Sequence, residues 1–128
     1  MLAKVIPNHP PTSARPQGFR PRVVYACAKV ADMSAIRLLN LCGDWADAAE
    51  AMDFTAALNP RLGTPVCHIV LSWSDTEIHS DAEMMTAAEA VLEDLGAHGY
   101  QAVIALHREP RASDHRQGIV AQQRLCAA

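Results

Sequence analysis

Residues 66–73 carry the clearest β-strand signal in the chain, because apolar side chains recur there at every second position. One face holds Cys67, Ile69, Leu71 and Trp73, and the opposite face holds Val66, His68, Val70 and Ser72. Weaker signals of the same kind predict strands over residues 2–6, 35–41 and 100–107. These segments together predict a β-sheet.

Three helical signals separate the predicted strands. Pro21 suits the first turn of one helix, and Asp44 is a good N-cap for a second helix that Pro60 stops. Ser80 opens a capping box for a third helix, whose C-terminal cap fits Gly96. The resulting order of elements leaves both α/β and α+β folds open.

Two stretches lack regular patterns. Five of the eight prolines fall within residues 7–21, which indicates an irregular connection. Residues 111–128 show neither strand alternation nor a helical stripe. We therefore predict a domain over residues 1–110 and a weakly ordered tail over residues 111–128.

Length and composition exclude several classes of protein. A chain of 128 residues fits one domain, and it contains no apolar run long enough to span a bilayer. It has no apolar segment typical of a cleaved secretory signal, and its four cysteines form no C-x-x-C pair. We expect free thiols in the reducing cytoplasm and no membrane partner.

Charge is distributed unevenly along the chain. Residues 1–43 carry six basic and one acidic side chain, a net charge of +5, whereas residues 44–110 carry two basic and twelve acidic side chains, a net charge of −10. A basic N-terminal third is compatible with a polyanionic partner, although a flexible solvated arm would have the same composition.

Tyr25, His68 and His107 are the residues whose chemistry we consider further. Tyr25 is either a half-buried packing residue or a phenolic nucleophile that attacks a phosphodiester. His68 and His107 lie on the strand faces opposite the large apolar stripes, so they could share one sheet surface, either as satisfied half-buried side chains or as metal ligands. Ser72 lies on the same face of its strand as His68.

Several segments resemble the relaxase/mobilisation nuclease family of plasmids and integrative elements. Residues 2–6 (LAKVI) resemble its first strand, and Tyr25 within VVYAC stands where the family has its motif I tyrosine. Four further segments follow the order of the family: CHIVLSW at 67–73, DAE at 81–83, LG at 95–96 and VIALHRE at 103–109.

This resemblance implies an HUH-type endonuclease for plasmid mobilisation and conjugation. In such enzymes a tyrosine, here Tyr25, attacks single-stranded DNA at an origin of transfer and forms a 5′-phosphotyrosyl link. A divalent cation, Mg²⁺ or Mn²⁺, polarises the phosphate, and His107 matches one of its three histidine ligands. His68 and Ser72 would lie on the active-site face. The implied fold is α+β, an antiparallel sheet with helices mainly on one face. Accessory mobilisation proteins are implied partners.

The chain departs from the family after Glu109. The resemblance requires a last catalytic strand with a His-x-His pattern, and residues 110–128 contain the single histidine His115. We expect that strand to be missing, through truncation or a break in the reading frame, and we expect nicking activity to be weak or absent.

Three functional hypotheses follow. The chain is a relaxase that cleaves DNA through Tyr25, a catalytically incomplete remnant that binds DNA, or an unrelated α+β interaction module. The first requires Tyr25 and His107 to converge over one patch of the sheet.

Overall fold

The computed structural model describes residues 2–6, 18–28, 30, 33–58, 66–74, 79–97, 99–107 and 115–123. In chain order the elements are β1 (Leu2–Ile6), α1 (Arg20–Cys27), a 3₁₀ turn (Met33–Ala35), β2 (Ile36–Leu39), α2 (Trp45–Ala57), β3 (Val66–Ser74), α3 (Asp81–Asp94), β4 (Gln101–His107) and β5 (His115–Gln123). Most of the irregular connection predicted over residues 7–21 lies outside these residues, including Pro7, Pro10, Pro11 and Pro16.

The strands form one five-stranded sheet in the order β1-β3-β5-β4-β2, and every neighbouring pair is antiparallel. This confirms the predicted α+β fold with an antiparallel sheet. Helices α1 and α2 pack on one face and α3 packs on the other, so two of the three helices share a face.

Each face of the sheet has its own apolar core. The α1 and α2 side is built around Phe19, Val23, Met52, Val66 and Val103. The α3 side is built around Ile69, Leu71, Trp73, Met84, Leu92 and Ile104. Alternation in β3 therefore serves both cores, because successive side chains point to opposite faces.

The predicted caps form at the ends of α2 and α3. The Asp44 carboxylate accepts a hydrogen bond from the Ala46 N–H at 2.9 Å, and the Ser80 hydroxyl accepts one from the Glu83 N–H at 3.2 Å. Gly96 follows α3 with a φ of 72°, a left-handed conformation that favours glycine. Local capping chemistry thus sets these helix boundaries.

The chain after Pro110 differs from the expectation. Residues 115–123, inside the stretch predicted to be a weakly ordered tail, form β5 between β3 and β4. Both edges of β5 are paired, so backbone hydrogen bonding on two sides holds a strand whose sequence lacks apolar alternation. A strand is therefore present here, but its sequence, HRQGIVAQQ, lacks the His-x-His pattern that the resemblance requires of the last catalytic strand.

Three cysteines lie in the described part of the chain, and all three are free. Cys27 is buried in the α1 core, Cys67 is half-buried and Cys42 is exposed. Burial raises the pKa of the Cys27 thiol to about 12, so it remains protonated at neutral pH. No described helix is long and apolar enough to cross a bilayer.

Candidate active site on the Tyr25 helix

Helix α1 carries Tyr25 and is anchored at its N-terminus by α2. The Phe19 N–H, which immediately precedes the helix, donates a hydrogen bond to Asp53 Oδ1 at 3.0 Å. Phe19 itself is fully buried, and Gly18 before it has a φ of 123°, which only glycine adopts readily. The start of α1 is thereby fixed against α2.

His107 anchors the other end of α1. Its Nε2 lies 2.6 Å from the carbonyl oxygen of Ala26, the residue after Tyr25. A carbonyl only accepts hydrogen bonds, so Nε2 carries the proton and donates it. Ala26 is among the last residues of α1, whose carbonyls have no partner within the helix. His107 therefore contacts α1 one residue beyond the candidate nucleophile.

Tyr25 presents its phenol to solvent while its ring contacts the sheet. The side chain is 52% exposed. Its ring centroid lies 6.4 Å from that of His68, and the two planes meet at 73° in an edge-to-face arrangement. This contact orients the ring while about half of the residue stays exposed.

His68 is buried and pairs with Arg22. Arg22 Nη1 lies 3.0 Å from His68 Nδ1. A guanidinium only donates hydrogen bonds, so Nδ1 is the acceptor and Nε2 carries the proton. That Nε2 is buried and has no hydrogen-bond partner among the described residues. Burial, and secondly the Arg22 charge, lower the pKa of His68 to about 4, so the imidazole is neutral at pH 7.

The strand register places His68, Ser72 and His107 on one sheet face, the face covered by α1. His107 pairs with Gln117 and Gln117 with Ser72, whereas His68 lies four residues before Ser72 on β3. The two histidines are therefore separated by about 14 Å along the strands and about 10 Å across them. They share the predicted surface, but β5 separates their strands. His68 contacts Arg22 and Tyr25, whereas His107 contacts the carbonyl of Ala26.

The described side chains do not fit a divalent metal centre. No group of three histidine, cysteine, aspartate or glutamate side chains converges among them. His68 Nδ1 faces the Arg22 cation, and His107 Nε2 donates to a carbonyl. His107 Nδ1 is then the one nitrogen of this pair that keeps a lone pair for a metal.

A comparison with protein families found one family that matches most of the chain. Residues 25–120, more than half of the chain, match the family described as "Relaxase: MobA/VirD2-like, nuclease domain". The chain belongs to this relaxase family. The match begins at Tyr25 and continues beyond Glu109 into β5. Comparisons with curated proteins and with solved structures found no match.

Membership of the relaxase family gives the chain a DNA-directed nuclease ancestry. The family acts on single-stranded DNA at origins of transfer and is generally metal-dependent. The hypothesis of an unrelated interaction module is thereby excluded, and the two hypotheses that involve DNA remain.

Sequence reasoning missed Arg22 as a member of this site. Arg22 stands three residues before Tyr25 on a predicted helix, and residues at this spacing lie on one helix face. This spacing indicates that Arg22 and Tyr25 are neighbours. It does not indicate which strand residue their helix contacts.

Proposed function

We propose that this relaxase domain nicks single-stranded DNA at an origin of transfer through Tyr25, in plasmid mobilisation or conjugation. The observation that carries the proposal is the exposed Tyr25 phenol, held on a helix anchored at both ends and flanked by Arg22. A nucleophile must be accessible and fixed in orientation, and Tyr25 meets both requirements.

The proposed reaction is a transesterification. The Tyr25 Oη loses its proton and attacks phosphorus, the bond from phosphorus to the 3′ oxygen breaks, and that oxygen takes up a proton. A 5′-phosphotyrosyl link results, with the number of phosphoester bonds unchanged. Arg22 lies three residues before Tyr25 on α1, so its guanidinium is a candidate partner for the phosphate that Tyr25 attacks.

The role of His107 as a ligand of Mg²⁺ or Mn²⁺ stays a prediction, as does that of Ser72 on the active-site face. The same holds for accessory mobilisation proteins as partners, for the cytoplasm as location and for a break in the reading frame after Glu109. The described side chains do not form a site for such an ion.

The decisive experiment is detection of the covalent adduct. The full chain is incubated with a transfer-origin oligonucleotide and Mg²⁺ or Mn²⁺, and a denaturing gel should show a protein–DNA band. Tyr25→Phe should abolish the band. Tyr100→Phe is the matched control, because Tyr100 is the other tyrosine of the chain and packs against the α3 core. Absence of the adduct with both metals contradicts the proposal.

The contacts of the two histidines favour one alternative, a remnant that binds DNA without cleaving it, because His68 Nδ1 accepts from Arg22 and His107 Nε2 donates to Ala26. Such a remnant should bind single-stranded DNA with an affinity that falls steeply with salt, because each phosphate contact releases counterions. Salt-dependent binding by a chain that forms no adduct would identify it.

A further inference from the structure

We propose that His68 is a positioning residue: its Nδ1 holds the Arg22 guanidinium beside Tyr25, where Arg22 contacts the DNA phosphate. The inference deepens the proposed function and rests on it. Neither Arg22 nor this role for His68 follows from the match to the relaxase family.

The geometry joins three side chains from two elements. Arg22 and Tyr25 lie three residues apart on α1, so their side chains are neighbours on the helix surface. His68 on β3 contacts both, through Nδ1 at 3.0 Å from Arg22 and through its ring against that of Tyr25. His68, which is only 5% exposed, thus contacts both the arginine and the candidate nucleophile.

A neutral acceptor suits this position better than a carboxylate. Aspartate or glutamate would also hold a guanidinium, but its charge would cancel the positive charge that attracts a phosphate. The neutral imidazole uses one guanidinium N–H and leaves the charge and the remaining donors of Arg22 for another anion. Arg22 is half-buried, so part of it faces solvent.

The Nε2 of His68, which has no partner in the described part of the chain, also argues for function. A buried donor without a partner destabilises a fold, and an apolar residue at position 68 would avoid that cost. His68 therefore contributes less to stability than an apolar side chain of its size would. Its contact with Arg22 is the interaction that such a replacement would lose.

The test measures affinity for a single-stranded oligonucleotide as a function of salt, in full-length chains carrying Tyr25→Phe so that no covalent product forms. Arg22→Gln should weaken binding about tenfold and reduce the slope of log affinity against log salt by about 0.7, the value for one phosphate contact on single strands. His68→Gln should do the same, because its amide group cannot reach the Nδ1 position. His68→Asn should retain affinity, since its Oδ1 replaces Nδ1 as acceptor.

A double-variant cycle separates positioning from general damage. If His68 acts through Arg22, His68→Gln should add no further loss to Arg22→Gln. The matched control is His79→Gln, because His79 lies beside Trp73 on the α3 side and should leave affinity unchanged. Thermal unfolding of each variant verifies that it folds. If His68→Gln does not fold, the difference between His68→Asn and Arg22→Gln decides the matter.

Each outcome has a defined meaning. Normal affinity and salt slope in His68→Gln, normal slope in Arg22→Gln, equal losses in His68→Asn and His68→Gln, or additive losses in the double variant would overturn the inference. If the unmodified chain binds DNA but forms no adduct, nuclease function is contradicted. The salt slopes of the variants then decide the inference about His68. A parent chain without measurable affinity for DNA overturns both.

Discussion

The imidazole of His68 titrates far below its usual range because it is buried and because Arg22 faces its acceptor nitrogen. Both effects disfavour the protonated ring, and they can be separated. Arg22→Gln removes the charge and leaves most of the burial, so the pKa of His68 should rise from about 4 without reaching 6.5. An NMR titration of the histidine ring signals measures this value.

The control for that titration is Arg37→Gln. Arg37 is exposed and pairs with Glu89 on α3, away from His68. Its replacement should leave the pKa of His68 unchanged. An unchanged pKa of His68 in Arg22→Gln would mean that the contact does not persist in solution.

The lowered pKa of His68 also predicts how stability depends on pH. The unfolded chain binds a proton near pH 6.5, whereas the folded chain resists protonation down to about pH 4. The contribution of His68 to stability is therefore fully present above pH 6.5, and it is lost as the pH falls toward about 4. Between pH 7 and pH 4 this group should lower the free energy of unfolding by on the order of 3 kcal/mol.

Urea denaturation at pH 7, 5 and 4 tests this expectation. His68→Asn cannot be protonated, so it should lose less stability on acidification than the parent chain does. His79→Gln should follow the parent chain. The same acid loss in His68→Asn and in the parent would show that other groups cause it.

Sequence reasoning reached part of the site at this scale. The period of β3 and β4 places His68, Ser72 and His107 on one face, and the strand register agrees. Only family resemblance points to Tyr25, because nothing in the spacing of an exposed tyrosine distinguishes a nucleophile. The pairing of Arg22 with His68 spans two elements, and no local pattern encodes such a contact.

At the scale of single elements, α1 depends on its neighbours. A helix of eight residues without a side-chain cap is not stable in isolation. Asp53 on α2 holds its start and His107 on β4 holds its end. The orientation of Tyr25 is therefore determined by tertiary contacts.

Asp53→Ala should loosen the start of α1. It removes the carboxylate that accepts the Phe19 N–H, and hydrogen bonds to charged groups contribute about 1.5–3 kcal/mol. Urea denaturation should show a loss of that size, together with a lower yield of any Tyr25 adduct. Glu50→Ala, an exposed change on the same helix, should alter stability by less than about 0.5 kcal/mol. Equal effects of the two substitutions would contradict the anchoring role.

His107 has one observed and one predicted role, and two substitutions separate them. His107→Gln can place an amide N–H where Nε2 donates to Ala26, whereas His107→Ala cannot. His107→Gln should therefore retain stability that His107→Ala loses, on the order of 1 kcal/mol. If His107 also binds a metal, His107→Gln should form less adduct at limiting Mn²⁺. Adduct formation unaffected by His107→Gln at every Mn²⁺ concentration would remove the metal role.

Elements with strong local signals were predictable and β5 was not. Asp44, Ser80 and Gly96 carry the caps that delimit α2 and α3, and both helices form there. β5 lacks alternating apolar residues, so hydrophobic periodicity predicts a tail where residues 115–123 form a strand. Its position between two strands supplies the pairing that its composition does not indicate.

The whole molecule is a sheet with a separate core on each face, and its chain order differs from its spatial order. The last strand, β5, lies at the centre, between β3 and β4. The remaining strands join through it, since β1 pairs with β3 and β2 pairs with β4. Both halves of the sheet thus depend on the last element that the structure describes.

A stop codon after Pro110 tests this dependence on β5 directly. The truncated chain keeps every residue of the predicted 1–110 domain but loses the strand that pairs β3 with β4. Two unpaired edges would then lie in the middle of the sheet, and such edges promote aggregation. We expect the truncated chain to lose cooperative thermal unfolding, measured by circular dichroism. A chain ending after Gln123 retains all five strands and should still unfold cooperatively. Cooperative unfolding of the shorter chain at the full-length midpoint would show that β5 is dispensable and that residues 1–110 are a domain by themselves.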